Sequence, residues 1–192
     1  MKKKISRITL LNIIGIILFP VLAIGEMDIR YTDDGFKIQT KDQWIKIGGT
    51  MMWDVDSASD EFRESEDNPK DENDSWQTRS ELRRARLNIK AKMSDNWKTK
   101  LQFDFAGDDE SVELKDAYVE YSGWQIMNLI VGQDKEPFGL EELTSSKNLL
   151  FIERSMVSSA FAPGRNIGIS LNNDTNILIW GVGIYQAETR ED

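Results

Sequence analysis

The chain has 192 residues, with 24 Lys and Arg against 33 Asp and Glu, and it contains neither Cys nor His. Without Cys it cannot form disulfide scaffolds or thiolate zinc sites, and without His it cannot perform Ser-His-Asp hydrolysis or HExxH metalloprotease chemistry. A net charge of −9 argues against binding to nucleic acid, because phosphate backbones require a basic surface. Most familiar enzyme classes are therefore excluded, and no cofactor is expected.

Residues 1–25 have the three parts of an export signal. A basic start at 2–7 precedes an apolar run, and Ala23 and Gly25 suit a cleavage site between small residues. The alternative is a permanent membrane anchor, which is weaker because about 15 apolar residues fall short of the roughly 20 that span a bilayer. We therefore expect a signal peptide over 1–25, followed by an N-terminal periplasmic segment over 26–43.

Alternation of apolar and polar residues dominates the rest of the chain, and this period of two is typical of β-strands with one apolar side. The clearest example is 97–105, where Trp97, Leu101 and Phe103 alternate with polar residues. The segment 83–92 also fits a basic amphipathic helix, so its assignment rests on its neighbours. Seven strands are predicted, at 44–54, 83–92, 97–105, 113–121, 125–133, 167–172 and 177–184.

The connections between these strands alternate between long and short. An up-and-down antiparallel sheet has this pattern when its two rims face different environments, as in outer-membrane barrels with short periplasmic turns and long extracellular loops. Aromatic residues such as Trp97 and Tyr121 bracket the apolar faces, which suits the interfacial girdles of such barrels. The predicted fold class is therefore all-β, an antiparallel transmembrane β-barrel.

Several motifs resemble the phosphate-selective porin O and P family of Gram-negative outer membranes, over about 35–185. The most specific motif is VGQDKEPFGLEELTSSK at 131–147. The others are WIKIGG at 44–49, ELRRARL at 81–87, LKDAYV at 114–119, FIERS at 151–155 and APGRNIG at 162–168. The resemblance implies a 16-stranded barrel, usually trimeric, whose third loop folds inward as an anion-selective constriction.

Seven strands cannot complete such a barrel, and the sequence ends in charged residues at 189–192 instead of the terminal aromatic residue of similar proteins. An open sheet in lipid would leave unpaired backbone groups, each costing roughly several kcal/mol. We therefore expect 44–192 to be the N-terminal part of a truncated barrel, with 134–164 as its inward-folding third loop.

An anion-selective pore replaces part of the hydration shell of an ion, and Arg, Lys and hydroxyl groups are the donors suited to this. Alternation places Arg83 on the apolar side of its strand, so only the paired-arginine motif supports it as an anion-binding residue. The alternative to anion binding is a plain turn or helix cap for the candidates in the loop at 134–164, and ordinary solvated charge for the arginines. The candidate anion-binding residues are Arg83, Arg84, Arg86, Ser145, Ser146 and Lys147.

The expected function is passive diffusion of anions, phosphate or polyphosphate, by a non-enzymatic porin surrounded by lipid and lipopolysaccharide. A general-diffusion porin without phosphate selectivity stays open, because Asp104, Asp116 and an acidic stretch at 54–74 oppose anions. A secreted β-sandwich that binds polysaccharide is a second alternative, since aromatic residues also cluster at the ends of sandwiches. The acidic stretch does not match the spacing of an EF-hand, and no metal site is expected.

Overall fold

The structure is a computed structural model, and it describes residues 27–32, 35–59, 76–106, 111–175 and 178–186. The expected signal peptide, most of the acidic stretch at 54–74 and the charged residues 189–192 lie outside these ranges. The strands are β1 (Asp28–Thr32), β2 (Gly35–Gln39), β3 (Trp44–Ser59), β4 (Trp76–Lys92), β5 (Trp97–Asp104), β6 (Glu113–Tyr121), β7 (Asn128–Lys135), β8 (Arg165–Asp174) and β9 (Ile179–Tyr185). Two short helices, α1 (Leu140–Leu143) and α2 (Met156–Phe161), lie between β7 and β8.

The nine strands form one antiparallel sheet in which their order follows the chain. The predicted all-β antiparallel class is confirmed. The seven predicted segments correspond to β3 to β9, and the structure adds β1 and β2 within 26–43. Over the described residues the sheet is not closed, because β1 and β9 form its two edges. Among the described residues, neither helix is long and apolar enough to cross a membrane.

The pairing register places apolar side chains of neighbouring strands beside one another on one face. Ile89 of β4, for example, pairs with Ile47 of β3 and with Leu101 of β5. A small patch of this face is buried, but Met51 is 74% exposed and Ile184 is 84% exposed. Within the described ranges no second sheet covers the face, as a β-sandwich would require. A wall with one apolar, uncovered side is the arrangement that the alternation predicts for a barrel in lipid.

The two rims of the sheet differ as the sequence predicts. From β2 onward, one rim carries the short connections 40–43, 93–96, 122–127 and 175–178, and the other carries the longer connections 60–75, 105–112 and 136–164. The two-residue connection 33–34 between β1 and β2 lies on the rim of the longer connections and is the exception. At the short rim the ring of Tyr121 lies 4.8 Å from that of Trp97 and 5.2 Å from that of Trp124. Aromatic groups at this position suit a membrane interface, where an apolar ring body and a polar tip are both accommodated.

Two irregularities interrupt the register on the side of the long rim. Between Met52 and Trp53 of β3 the register shifts, which leaves Arg83 of β4 as an extra residue. A second shift leaves Lys115 of β6 as an extra residue, and the side-chain amide of Gln133 donates to its carbonyl oxygen at 3.0 Å. Bulges of this kind bend the strand and redirect side chains.

Candidate functional site

The third loop was expected at 134–164, but β7 extends to Lys135, so the loop covers 136–164. It is held in shape by Arg154. Its guanidinium donates to the carbonyl oxygens of Glu141 at 3.2 Å, Glu142 at 3.3 Å and Thr144 at 2.9 Å. The last carbonyl groups of a helix have no partner within it, so Arg154 satisfies the end of α1. The Arg154 guanidinium also pairs with the carboxylate of Glu142 at 3.0 Å. These bonds fix the first part of the loop against the second.

Glu141 provides a further link within the loop. Its carboxylate accepts hydrogen bonds from the backbone nitrogen of Ser155 at 2.8 Å and from the Ser155 hydroxyl at 2.6 Å. These hydrogen bonds from Ser155 hold the pKa of the Glu141 carboxyl below its ordinary value. The Ser155 hydroxyl in turn accepts from the backbone nitrogen of Ser158, so it caps the start of α2.

The paired arginines attach this loop to the sheet. Arg83 donates to the carboxylate of Glu153 at 3.0 Å, and Arg84 donates to the same oxygen. Strict alternation would send the two arginines to opposite faces, and the bulge at Arg83 brings both to Glu153. Arg83 also pairs with Asp54 at 2.6 Å. Both arginines are therefore engaged by carboxylates of the chain itself.

The Glu153 carboxylate remains ionised at neutral pH in this setting. Partial burial alone would raise its pKa, but hydrogen bonds and positive charge from Arg84 and Arg83 lower the pKa below the ordinary value. The loop is thus held to β4 by an ion pair that two neighbouring guanidinium groups share.

Arg86 has a different environment, two positions further along β4. Its Nε donates to Oδ2 of Asp104 at 2.7 Å, and its Nη1 donates to the hydroxyl of Ser146 at 3.3 Å. Arg86 therefore joins the wall of the sheet to the TSSK segment of the third loop. The backbone nitrogen of Lys147 donates to the Ser145 hydroxyl at 3.4 Å, so the three loop residues form one turn.

A cavity of about 320 Å³ lies between this turn and the polar face of β3, β4 and β5. Within the part of the chain that the structure describes, no carboxylate lines it. Its uncharged hydrogen-bond donors include the hydroxyl groups of Ser145 and Ser146 and the amide of Gln102. The basic residues that line it are Lys46, Arg86, Lys90, Lys100 and Lys147. Arg86 and Lys100 are paired with Asp104 and Asp116, which do not line this cavity, so the charged groups at its surface are all basic and suit an anion.

Three of these cations belong to a row that crosses the sheet. Lys46 pairs with Lys37 of β2 and with Lys90 of β4, and Lys90 pairs with Lys100 of β5. Four lysines thus occupy directly opposite positions on the polar face. Lys100, at one end of the row, is paired with Asp116 at 2.5 Å, and Lys37, at the other end, lies over the ring of Trp44. A row of this kind is consistent with a role in attracting mobile anions.

A second cavity, of about 510 Å³, adjoins the first and shares Arg86 and Lys100 with it. Its lining differs from that of the first cavity because it includes a carboxylate, that of Asp116. Asp116 is 1% exposed and pairs with Lys100 at 2.5 Å and with Arg165 at 2.6 Å. Asp134 also lines this cavity. The second cavity therefore has a lining of mixed charge, whereas the charged residues that line the first are all basic.

The structure divides the six predicted residues into two groups. Arg86, Ser145, Ser146 and Lys147 line the first cavity together. Arg83 and Arg84 lie apart from both cavities and contact Glu153 instead.

Sequence reasoning did not select Lys46, Lys90 and Lys100 as site residues. A signal for them was present, because all three fall on the polar side of predicted strands. What the sequence lacked was the register that places them side by side beneath the third loop.

Among the described residues, no group of three or more acidic side chains converges as a metal site would require.

Comparison with known proteins adds independent evidence. The family model described as phosphate-selective porin O and P matches residues 45–192. Porin O of Pseudomonas aeruginosa is 30% identical to this chain over 129 residues, which are 65% of the chain and 28% of that protein. The chain therefore spans less than a third of the length of this curated relative. The match confirms the resemblance that the motifs indicated: the chain belongs to the phosphate-selective porin O and P family, and its place is the outer membrane of Gram-negative bacteria.

Proposed function

We propose that this chain forms part of the wall of a porin through which small anions, inorganic phosphate among them, diffuse passively. The observation that carries the proposal is the cavity whose lining brings together five basic side chains and no carboxylate among the described residues. Charged, hydroxyl and amide donors at a narrow point can replace part of the water that an anion loses.

The third loop is proposed as the constriction of this path. It is supported in that role by its contacts with β4, since Glu153 binds Arg83 and Arg84, and Ser146 binds Arg86. These contacts hold the loop over the polar face instead of allowing it to extend away from the sheet. Ser145, Ser146 and Lys147 would then be the loop side of the narrowest point, and Arg86 the wall side.

The row of lysines would extend this path. Lys46, Lys90 and Lys100 line the cavity, while Lys37 continues the row to β2. An anion that leaves the cavity would meet positive charge along the wall, which raises its local concentration. Phosphate at neutral pH carries more charge and more acceptor oxygens than chloride, so such a path favours phosphate.

We also propose that further strands complete a closed barrel of about 16 strands, the number that the family resemblance implies. The open edges at β1 and β9 and the 28% coverage of Porin O support this. In the complete protein the apolar face would contact lipid and lipopolysaccharide, and three copies would form a homotrimer.

A general-diffusion porin is the second candidate function, and the mixed charge of the larger cavity favours it. Asp116 and Asp134 place carboxylates there beside Lys100 and Arg165, which would lower selectivity for anions. A secreted polysaccharide-binding sandwich is less suited, because the described residues form one sheet whose apolar face they leave uncovered.

Planar-bilayer recordings on the full-length porin test the proposal. We expect reversal potentials in a potassium chloride gradient to show that chloride is more permeant than potassium, and added inorganic phosphate to block the chloride current at submolar concentration. Equal permeability of the two ions and no block by phosphate or pyrophosphate would leave the general-diffusion porin.

A further inference from the structure

Asp104, the last residue of β5, is buried at 5% exposure. Its Oδ1 accepts hydrogen bonds from the backbone nitrogens of Ala85 at 3.2 Å and Ala106 at 3.3 Å. The bond to Ala106, two residues on, is a turn in which an aspartate side chain replaces a backbone acceptor. One carboxylate oxygen therefore stabilises the end of the strand pairing.

The other oxygen, Oδ2, accepts from Nε of Arg86 at 2.7 Å, and the two residues are direct partners in the register. A guanidinium is planar, so fixing its Nε edge also fixes the direction of its two terminal nitrogens. In this structure one of them, Nη1, points to the Ser146 hydroxyl at 3.3 Å, and Arg86 lines both cavities.

We propose that Asp104 is a positioning residue that aims the terminal nitrogens of Arg86 at the anion path. The inference rests on the proposed function, since it requires Arg86 to contact the passing anion. A free arginine side chain has several rotatable bonds, and ordering them costs entropy each time an anion binds. The hydrogen bond to Asp104 orders the Arg86 side chain before an anion binds, and Asp104 itself does not touch the anion.

This role and a simple charge effect predict opposite results. Asp104 carries negative charge near an anion site, so as background charge alone it would weaken anion binding. Its removal would then strengthen the block by phosphate. If Asp104 positions Arg86, its removal weakens the block although the net charge becomes more positive.

The experiment measures the inorganic phosphate concentration that halves the chloride current through single channels of the full-length porin. We expect Asp104→Asn, which keeps an acceptor for the two backbone nitrogens, to raise this concentration by about tenfold, as for loss of one well-placed charged hydrogen bond. Asp104→Glu keeps the charge but displaces the carboxylate, and it should also weaken the block. Only channels that insert and conduct are counted, so misfolded protein does not contribute.

Two further variants complete the test. Glu120→Gln removes one negative charge from the same face, where Glu120 pairs with Lys98 at 3.3 Å and lines neither cavity. It should leave the block unchanged or slightly stronger. Arg86→Gln sets the scale, and adding Asp104→Asn to it should cause no further loss.

The outcomes separate the two proposals. If Arg86→Gln weakens the block while Asp104→Asn strengthens it, or if Asp104→Asn acts equally with and without Arg86, the positioning role is wrong and the proposed function stands. If the wild-type channel shows no phosphate block at all, the proposed function fails, and the positioning role fails with it.

Discussion

Arg83 of β4 and Glu153 of the third loop are 70 positions apart in the sequence, and their side chains meet at 3.0 Å. The same Glu153 oxygen accepts from Arg84, so one carboxylate joins the loop to two adjacent arginines. These arginines carry the paired-arginine motif, and in this structure their partner is a carboxylate of the chain. The motif therefore attaches the loop that we propose as the constriction.

Glu153→Gln should loosen this attachment, because an uncharged amide cannot form ion pairs with the two guanidinium groups. We expect a broader distribution of distances between spin labels at Phe151→Cys in the loop and Arg79→Cys on β4 of the full-length porin, measured by electron paramagnetic resonance. The chain has no native cysteine to compete for the label. As a control, Glu141→Gln affects bonds to Ser155 within the loop and should change this distribution less. An unchanged distribution in Glu153→Gln would contradict the attachment.

Acid should have the same effect on the wild-type protein. The pKa of a Glu in an unfolded chain is about 4.3, and the pKa of Glu153 is lowered in the folded state. Its ion pair therefore contributes fully to the stability of the attachment above about pH 4.3. The contribution is lost as the pH falls through the lower folded pKa. We expect the label distances to broaden only below about pH 4.3, and Glu153→Gln to remove that transition. A transition of the same size in the variant would contradict the assignment of this transition to Glu153.

The two faces of the sheet can be tested with neighbouring residues of β4. Leu87 lies on the apolar face, opposite Gly49 and Phe103, while Asn88 lies on the polar face and lines the first cavity. Leu87→Arg should destabilise the assembled barrel by about 2–4 kcal/mol, as for a charge at mid-depth in lipid. Asn88→Arg should assemble normally. The measurement is the fraction of folded, heat-modifiable protein in outer-membrane preparations, and equal fractions would count against the assigned faces.

Glycine at position 132 should be required by the backbone. Gly132 has a φ of 133°, and a Cβ there would clash with the backbone carbonyl oxygen of Ala117. Gly139 also has a positive φ, of 76°, but no atom within 4 Å of an added Cβ. We expect Gly139→Ala to cost about 1–2 kcal/mol through backbone strain alone, and Gly132→Ala to cost more. Urea unfolding of the full-length porin gives both values, and the reverse order would be inconsistent with this geometry.

The strands with long alternating patterns were predictable from the sequence, but β1 and β2 were not included. Each has only five residues, and the residues 33 and 34 between them are both Asp, so the alternation is too short to be distinguished from a polar segment. Alternation alone places Arg83 on the apolar side, and a period of two cannot anticipate the bulge through which Arg83 reaches Glu153.

For the site, the sequence predicted the TSSK turn and Arg86, which the structure places together. It could not predict that Asp104 holds Arg86, or that Lys46, Lys90 and Lys100 are adjacent, since both facts depend on register between strands. Register is set by packing and turn geometry across the whole sheet, and these are not visible within one strand.

Lys147 provides the most direct test of the proposed constriction. It lines the cationic cavity beside Ser145 and Ser146, whereas Lys98 lies near the short rim, pairs with Glu120 at 3.3 Å and lines neither cavity. A charge acts more strongly on an ion at a narrow, poorly hydrated point than in a wide vestibule, because the effective dielectric constant is lower there.

Lys147→Glu should therefore lower the ratio of anion to cation permeability by about tenfold or more, which corresponds to about 1.4 kcal/mol, and should weaken the block of chloride current by phosphate. Lys98→Glu makes the same change in charge at an exposed position outside both cavities and should have a much smaller effect. Reversal potentials in salt gradients and phosphate titrations on the two full-length variants measure both quantities. If the reversal potentials shift by the same amount, the cavity beneath the third loop is not the point at which the ion is selected.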